Sequence, residues 1–252
     1  MALHVADLHV AHGRQRVIAG ATPDPFRPGT LTALIGPNAA GKSTFLRAVA
    51  GLMPSRGAIR LHDADIARLR PAERVRRVRY VPQAYATTAA LTVFDTVLLA
   101  LKQRGMGGAD DEAAAAAMLS RLGIADLASR PVGALSGGQQ QMVAVAQGLV
   151  VPAPVLLLDE PTSALDLHRQ LQVLALLRRI AEERQAIVIV ALHDLALAGR
   201  HADRVLLLRE GAIAGDGEPE AVLSSSCCAA AYRVSLRVER NSRGSITVEA
   251  HL

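Results

Sequence analysis

The segment Gly36-Pro37-Asn38-Ala39-Ala40-Gly41-Lys42-Ser43 places two glycines five positions apart and follows the second with a lysine and a serine. That spacing lets backbone N–H groups converge on phosphate oxygens, while the N-terminus of a following helix adds partial positive charge and Lys42 reaches the outer phosphates. The Ser43 hydroxyl is suited to Mg²⁺. A nucleoside triphosphate is the first ligand this chemistry suggests; a glycine turn that matches the pattern by chance is the alternative.

Two further groups could act on such a ligand. Val155-Leu156-Leu157-Leu158-Asp159-Glu160 ends an apolar run in two carboxylates. Asp159 is suited to hold the hydration shell of Mg²⁺, and Glu160 to orient and deprotonate an attacking water, provided it lies within hydrogen-bond reach. The same acids could instead cap a following helix, because Thr162 and Ser163 look like a helix start. Upstream, Leu135-Ser136-Gly137-Gly138-Gln139-Gln140-Gln141 reads as a second helix N-terminus fit for phosphate, or as an ordinary N-cap whose glycines relax the turn.

These groups need a scaffold that gathers them, and the hydropathy pattern supplies one. Apolar runs over 3–10, 31–35, 78–81, 155–158, 187–191 and 205–208 read as short strands, several of them apolar throughout, as buried parallel strands are. Helical patterns lie between them, including 44–50 and 167–184, so the core reads as α/β. The phosphate-type loop then sits between a strand and a helix, and the two acids sit at the C-terminal edge of a strand, where open α/β sheets bind ligands. Residues 84–150 carry mostly helical signals, at 93–101, 111–122 and 139–150, and read as a helical subdomain inserted into the core. The alanine run 113–117 is a good helix former rather than a linker, and Gly105, Gly107 and Gly108 mark the loop before it. From about 220 the chain ends in alternating residues at 234–238 and 246–248, a small hairpin. No internal repeat is present.

Half of the 252 residues are hydrophobic, enough to bury a sizeable core as one large domain or a core with a subdomain. No apolar run approaches the roughly eighteen residues of a membrane span, and the N-terminus opens directly into strand-like sequence. A cytoplasmic protein without its own anchor is expected. The two cysteines, Cys227 and Cys228, are adjacent, which argues against a disulfide framework and for a reducing compartment. The net charge of +5 and pI near 9.8, with Arg68, Arg70, Arg74, Arg76, Arg77 and Arg79 clustered, raise nucleic acid as a partner. Aromatic residues make up only 2% of the chain, too few for a base-stacking platform. A solvated arginine-rich surface is the reading adopted, with a protein partner or anionic lipid head groups as the second.

In this order, the phosphate loop, Leu135-Ser136-Gly137-Gly138-Gln139, Leu156-Leu157-Leu158-Asp159-Glu160-Pro161-Thr162-Ser163-Ala164-Leu165-Asp166 and Leu192-His193-Asp194 resemble the ATP-binding cassette (ABC) family of ATPases. The resemblance covers nearly the whole chain. It implies an α/β P-loop NTPase core of the RecA-like kind, with an inserted helical subdomain and an N-terminal antiparallel β subdomain. The ATPase domain would occupy 1–237, with the core at about 1–83 and 151–219 and the helical subdomain at about 84–150; residues 220–252 form a short tail.

The same resemblance implies ATP and Mg²⁺ as ligands. Gly36, Pro37, Asn38, Ala39, Ala40, Gly41, Lys42, Ser43 and Thr44 would surround the phosphates, Ser43, Gln83 and Asp159 would serve the metal, and Glu160, His193 and Gln83 would serve catalysis. Gln83, in Tyr80-Val81-Pro82-Gln83, would meet Mg²⁺ and water while contacting a membrane partner; alone it would be a polar strand-end residue. Asp166 matches the D-loop aspartate that communicates across a dimer, and would otherwise be a helix cap before Leu167. His193 matches the switch histidine that touches the γ-phosphate, although a lone histidine there would be structural. The family forms a head-to-tail dimer in which the phosphate loop of one subunit and the segment Leu135, Ser136, Gly137, Gly138, Gln139 of the other sandwich each ATP. Implied partners are a second copy of the chain, integral-membrane permease subunits and a periplasmic or surface substrate-binding protein, with no nucleic acid. The expected location is peripheral, on the cytoplasmic face of the inner (plasma) membrane.

Two positions depart from the family pattern. At Ala39 the family usually has glycine, so the loop loses a freely positive-φ position. The adenine-stacking aromatic is replaced by His12, with Val17 as a nearby apolar contact; histidine stacks over less area, and an exposed turn residue is the alternative. Within the family, Leu91-Thr92-Val93-Phe94-Asp95-Thr96-Val97, the glutamines 139–141, Leu192-His193-Asp194-Leu195 and the tail resemble importer ATPases for iron complexes, haem and vitamin B12. An iron-siderophore or related metal chelate is the first cargo expected, with haem, cobalamin or another solute as alternatives. A soluble ABC ATPase acting on DNA or ribosomes would usually carry a coiled-coil or zinc insertion, or a second cassette, and this chain has neither. A binding module that no longer hydrolyses ATP is opposed by Glu160 and His193.

Overall fold

The computed structural model describes residues 2–13, 15–83, 91–102 and 109–252; the loop glycines expected at 105, 107 and 108 lie outside them. The chain opens with β1 (Leu3–His12) and β2 (Gln15–Ala21), followed by β3 (Leu31–Ile35), α1 (Lys42–Val49), β4 (Arg56–Leu61), β5 (Ala64–Asp65), α2 (Pro71–Arg77) and β6 (Val78–Val81). Then come α3 (Val93–Lys102), α4 (Ala109–Arg121), α5 (Gly137–Val150), β7 (Val155–Asp159), α6 (Leu167–Arg184), β8 (Ile187–Ala191) and α7 (Leu195–His201). The end of the chain holds β9 (Arg204–Arg209), β10 (Ala212–Gly217), α8 (Pro219–Leu223), α9 (Ser226–Tyr232), β11 (Ser235–Arg240) and β12 (Ile246–His251).

The strands fall into three sheets. A six-stranded sheet has the order β10-β9-β3-β8-β7-β6, a four-stranded one β2-β1-β4-β5, and β11 pairs with β12. In the large sheet every pairing is parallel except β9 with β10. Strands β3, β7 and β8 are buried at every residue, which is why they read as unbroken apolar runs rather than alternating ones. The four-stranded sheet is antiparallel throughout and packs its buried face, with Leu3, Val5, Leu8, Val10 and Ile18, against Phe45, Leu46 and Val49 of α1. On the other side of the large sheet a second cluster joins α6 to α3, α4 and α5. This α/β arrangement with an antiparallel sheet beside it is the expected fold class.

Several local expectations shift. Helix α1 begins at Lys42, ahead of the predicted 44, so Lys42 and Ser43 stand in its first turn. Helix α5 begins at Gly137 rather than 139, because Ser136 closes a capping box: its Oγ accepts from the Gln139 N–H at 3.4 Å and the Gln139 side chain accepts from the Ser136 N–H at 3.0 Å. The helix start read at Thr162 and Ser163 is absent. Those residues lie in a turn, and α6 starts at Leu167 behind Asp166, whose carboxylate accepts from the Arg169 N–H at 2.8 Å. Helix α4 spans Ala109–Arg121 rather than 111–122. The arginine cluster lies on and around α2, which buries none of its residues and so carries no amphipathic signal. Arg70 pairs there with Glu73 at 2.9 Å and Arg68 with Asp65 at 3.4 Å. Cys228 is buried and Cys227 exposed, both as free thiols, and burial pushes the Cys228 thiol up to about 11.

Candidate active site

Four neighbouring parallel strands deliver the site at their C-terminal ends. The loop 36–41 leaves β3, Gln83 follows β6, Asp159 ends β7 with Glu160 directly after it, and His193 follows β8. Register brings them level: Val81 is paired with Leu158, and Asp159 with Ala191. Gln83 and Glu160 therefore stand two residues beyond one paired rung, which is why their side chains meet.

Glu160 is 8% exposed, and each oxygen of its carboxylate is held. Gln83 Nε2 donates to Oε2 at 2.7 Å, and His193 Nε2 lies 2.6 Å from Oε1. Its backbone has φ +50°, a left-handed conformation that costs a non-glycine residue about 1–2 kcal/mol and persists only where surroundings impose it. Gln141 is the chief restraint. From inside α5 its Nε2 donates to the Glu160 carbonyl at 2.8 Å and its Oε1 accepts from the Ala164 N–H at 3.3 Å, while Ser163 Oγ donates to the same carbonyl at 3.1 Å. The sequence reading uses Ser163 as a candidate helix start and Gln141 as part of the triple glutamine, and gives neither a role in holding Glu160. A buried polar residue among Met142, Val143 and Val145 is the one signal that singles out Gln141.

In the loop, Lys42 is buried, and its Nζ donates to the carbonyls of Gly36 at 2.8 Å and Pro37 at 3.3 Å. Burial holds its ammonium below the ordinary value, with Glu160 and Asp159 pulling the other way. Ala39 adopts φ +63°, so the position where glycine is usual does require left-handed backbone. Gly41 and Thr44 are buried, Pro37 half-buried and Asn38 exposed; the Ala40 N–H bonds to the Pro37 carbonyl at 3.2 Å. An open cavity lies over the loop, lined by residues 38–44, Glu160, Glu210, Gly211, Gln15, Arg16 and Val17. Val17 is among the residues lining this cavity. His12 ends β1 as an exposed residue paired with Gln15 and stands outside the described lining, where Gln15 and Arg16 take the β2 side.

The Ser43 hydroxyl donates to Asp159 Oδ1 at 2.9 Å, and Asp159, 1% exposed, accepts on Oδ2 from the Tyr80 hydroxyl at 2.9 Å. Tyr80 in turn accepts from Arg47 Nε at 3.1 Å; burial pushes its phenol up to about 12. Tyr80 and Arg47 are members of the site that the sequence does not disclose. Among the described residues no group of three or more His, Cys, Asp or Glu is placed to hold a metal by itself. A hydroxyl beside one buried carboxylate, facing a phosphate loop, instead fits Mg²⁺, a hard cation that keeps water and takes phosphate oxygens as its other ligands.

Ser136, Gly138 and Gln139 line a different cavity, together with Asp166, Ala164, Leu165 and Arg169. Leu135 is buried beneath it and Gly137 is exposed above. This cavity shares no residue with the one over the phosphate loop, so within one chain the two predicted phosphate-facing segments are not brought together.

A phosphate loop, a strand-end aspartate beside its serine and a buried, clamped glutamate define a P-loop ATPase. The family model described as ABC transporter matches residues 25–163. Over 248 residues the chain is 40% identical to the hemin import ATP-binding protein HmuV of Streptomyces coelicolor, covering 97% of this chain and 88% of that protein. Over 252 residues it is 35% identical to the cobalamin import ATP-binding protein BtuD of Halobacterium salinarum, covering 98% of this chain and 63% of that longer protein. A solved ABC transporter assigned to the metal-chelate type, in an inward-facing conformation, superposes with TM-score 0.81 at 26% identity, covering 99% of this chain and 96% of that one. The chain belongs to the ABC transporter ATP-binding family. It binds ATP with Mg²⁺ as the usual cofactor and hydrolyses it.

Proposed function

We propose that this chain powers import of a metal chelate through a membrane permease, as one of two identical ATPase subunits that sandwich ATP. The observation that carries the catalytic part is the Glu160 carboxylate fixed between Gln83 at 2.7 Å and His193 at 2.6 Å. A carboxylate held by two side chains at the cavity wall is preorganised to accept one proton from water as the water oxygen attacks the γ-phosphorus and the bond to the ADP oxygen breaks. Lys42 and the N–H groups of the loop stabilise phosphate charge, and His193, 2.6 Å from Glu160, would contact the γ-phosphate as the family resemblance implies. Mg²⁺, held through Ser43, Asp159 and Gln83, would neutralise charge on the phosphate oxygens.

The open start of α5 supports the sandwich. A side chain added at Gly137 would meet nothing within 4 Å, so nothing in its own chain asks for glycine there. A partner's bound nucleotide approaching Ser136 does. Among the described residues no helix is long and apolar enough to cross a membrane, which fits a peripheral subunit seated on a separate permease at the cytoplasmic face, supplied by a substrate-binding protein outside. The relatives' names, hemin import and cobalamin import, favour a tetrapyrrole chelate over the siderophore first expected from sequence.

Glu160→Gln tests the reading. Mg·ATP binding should persist by calorimetry while steady-state hydrolysis falls by about 10²-fold or more; an unchanged rate would remove Glu160 from the general-base role. Uptake of haem, cobalamin and ferric chelates by cells carrying the chain with its co-purifying permease then separates the cargoes.

A further inference from the structure

We propose that Tyr232, from the C-terminal tail, is a positioning residue that sets the phosphate loop for nucleotide; the inference rests on the loop 36–44 being the triphosphate site. Tyr232 ends α9, and its hydroxyl accepts a hydrogen bond from the Gly36 N–H at 2.8 Å across 196 positions of sequence. On the other side of the same residue, the Gly36 carbonyl accepts from Lys42 Nζ at 2.8 Å. Both peptide units flanking Gly36 are therefore tied, one to the tail and one to the phosphate-binding lysine. The exit from β3 has no slack elsewhere, because a Cβ on Gly36 would stand 2.3 Å from the Leu208 carbonyl oxygen. Removing the Tyr232 hydroxyl would leave a buried N–H without a partner, and turning that peptide to recover one would shift the Gly36 Cα and with it the next peptide unit, whose carbonyl holds Lys42.

The tail is built to hold this ring still. Ser225 caps α9 by accepting from the Cys228 N–H at 3.1 Å. Arg233 stops the helix directly after Tyr232 in a left-handed conformation of φ +58°, its N–H bonded to Ala229. Beyond it, Ile246 of β12 seats against Gly199 of α7, the helix that follows His193, and Arg200 Nε donates to the Ile246 carbonyl at 3.2 Å. The tail therefore touches the segments behind both the phosphate loop and His193. Burial also pushes the Tyr232 phenol upward, so it stays a neutral hydroxyl across the working pH range.

The test measures Mg·ATP affinity by calorimetry, turnover at saturating ATP and melting temperature on the full chain for three variants. Tyr232→Phe should raise Kd and KM by about five- to tenfold with kcat within about twofold. Ile246→Val, which loosens tail packing without touching the hydroxyl, should lower the melting temperature and leave Kd unchanged. If Tyr232→Phe keeps wild-type Kd, or if Ile246→Val weakens ATP equally, the tail is a structural support alone and the assignment falls. Lys42→Ala separates the two levels of reading: retained affinity there would overturn the phosphate-loop site itself, whereas lost affinity with Tyr232→Phe unaffected overturns only the role of Tyr232.

Discussion

The phosphate loop and the start of α5 are both glycine-bearing turns that lead into a helix, and the chain treats them in opposite ways. Gly36 is enclosed by its own protein: a Cβ there would collide with the Leu208 carbonyl at 2.3 Å, and the residue sits at φ +150°. Gly137 is open, with nothing within 4 Å. Lys42 is buried and satisfied by loop carbonyls, whereas Ser136 is exposed and satisfied by its own capping box. One region closes its contacts within the chain; the other is finished as a helix end whose first glycine faces open space, and under the proposed sandwich that space takes a partner's nucleotide. Gly36 is explained by folding, and so is Gly138, where a Cβ would stand 2.8 Å from the Ala164 carbonyl oxygen, whereas nothing within the chain explains glycine at 137.

The largest effect that would break this contrast comes from adding a side chain at each of the two glycines, 36 and 137. Gly36→Val should abolish ATP binding and destabilise the fold by about 2–3 kcal/mol or more, since the clash is with backbone that cannot move aside. Gly137→Ala should leave stability within about 1 kcal/mol, tilted toward a gain from helix propensity, and leave the monomer's ATP affinity intact while weakening ATP-driven dimerisation. Urea unfolding, calorimetry and light scattering read the three quantities; a Gly137→Ala monomer that loses ATP affinity would make the two regions one site.

Next in size is Ser136→Arg. Loss of the cap should cost about 1 kcal/mol, and the bulk at the open face should prevent the ATP-driven dimer without altering nucleotide binding to the monomer. A dimer that persists by light scattering with Glu160→Gln in the same chain would sink the sandwich arrangement.

Ala39→Gly is a smaller perturbation of the enclosed region. The left-handed backbone of Ala39 at φ +63° costs about 1–2 kcal/mol, and glycine relieves it while adding about 0.5–1 kcal/mol of entropy to the unfolded chain. Stability should change by less than about 1 kcal/mol and ATP affinity should hold or tighten. A marked loss of affinity by calorimetry would mean that the alanine methyl itself contacts nucleotide.

What could be read in the sequence follows the same division between local and assembled features. Strands β3, β7 and β8 were legible because burial at every residue leaves uninterrupted apolar runs, and α6 because its apolar face recurs over eighteen residues. Strand β10, half-buried and rich in glycine, and helix α2, with no buried residue, carry no such pattern and were missed. The loop and the strand-end acids were legible as contiguous motifs. Tyr80 on Asp159 and Tyr232 on Gly36 were not, because those contacts join residues 79 and 196 positions apart and exist only once the topology has closed. His12 marks where sequence order alone falls short: it ends β1 as an exposed residue, and the β2 residues Gln15, Arg16 and Val17 line the cavity over the loop.

The smallest expected effect sharpens the contrast through pH. Burial is the main reason that the Lys42 ammonium loses its proton more readily in the folded protein than in the unfolded chain, where its value is 10.5. At pH below the folded value, Lys42 is charged in both states and contributes no slope. Between the folded value and 10.5 the unfolded chain binds more protons, so the folding free energy contributed by Lys42 becomes more favourable as pH rises. In Lys42→Met this contribution is gone, and so is the coupling of Lys42 to Glu160 and Asp159, so the comparison is read from neutral pH upward, above the carboxylate range. The stability of the nucleotide-free wild type minus that of Lys42→Met, measured by urea unfolding, should therefore be flat around neutral pH and climb as pH approaches 10.5 from below. The same subtraction with Ser136→Ala should stay flat throughout, because the open region buries no charge. A wild-type minus Lys42→Met difference that falls with pH would mean that the groups favouring the ammonium, Asp159 and Glu160 together with the loop carbonyls, outweigh burial.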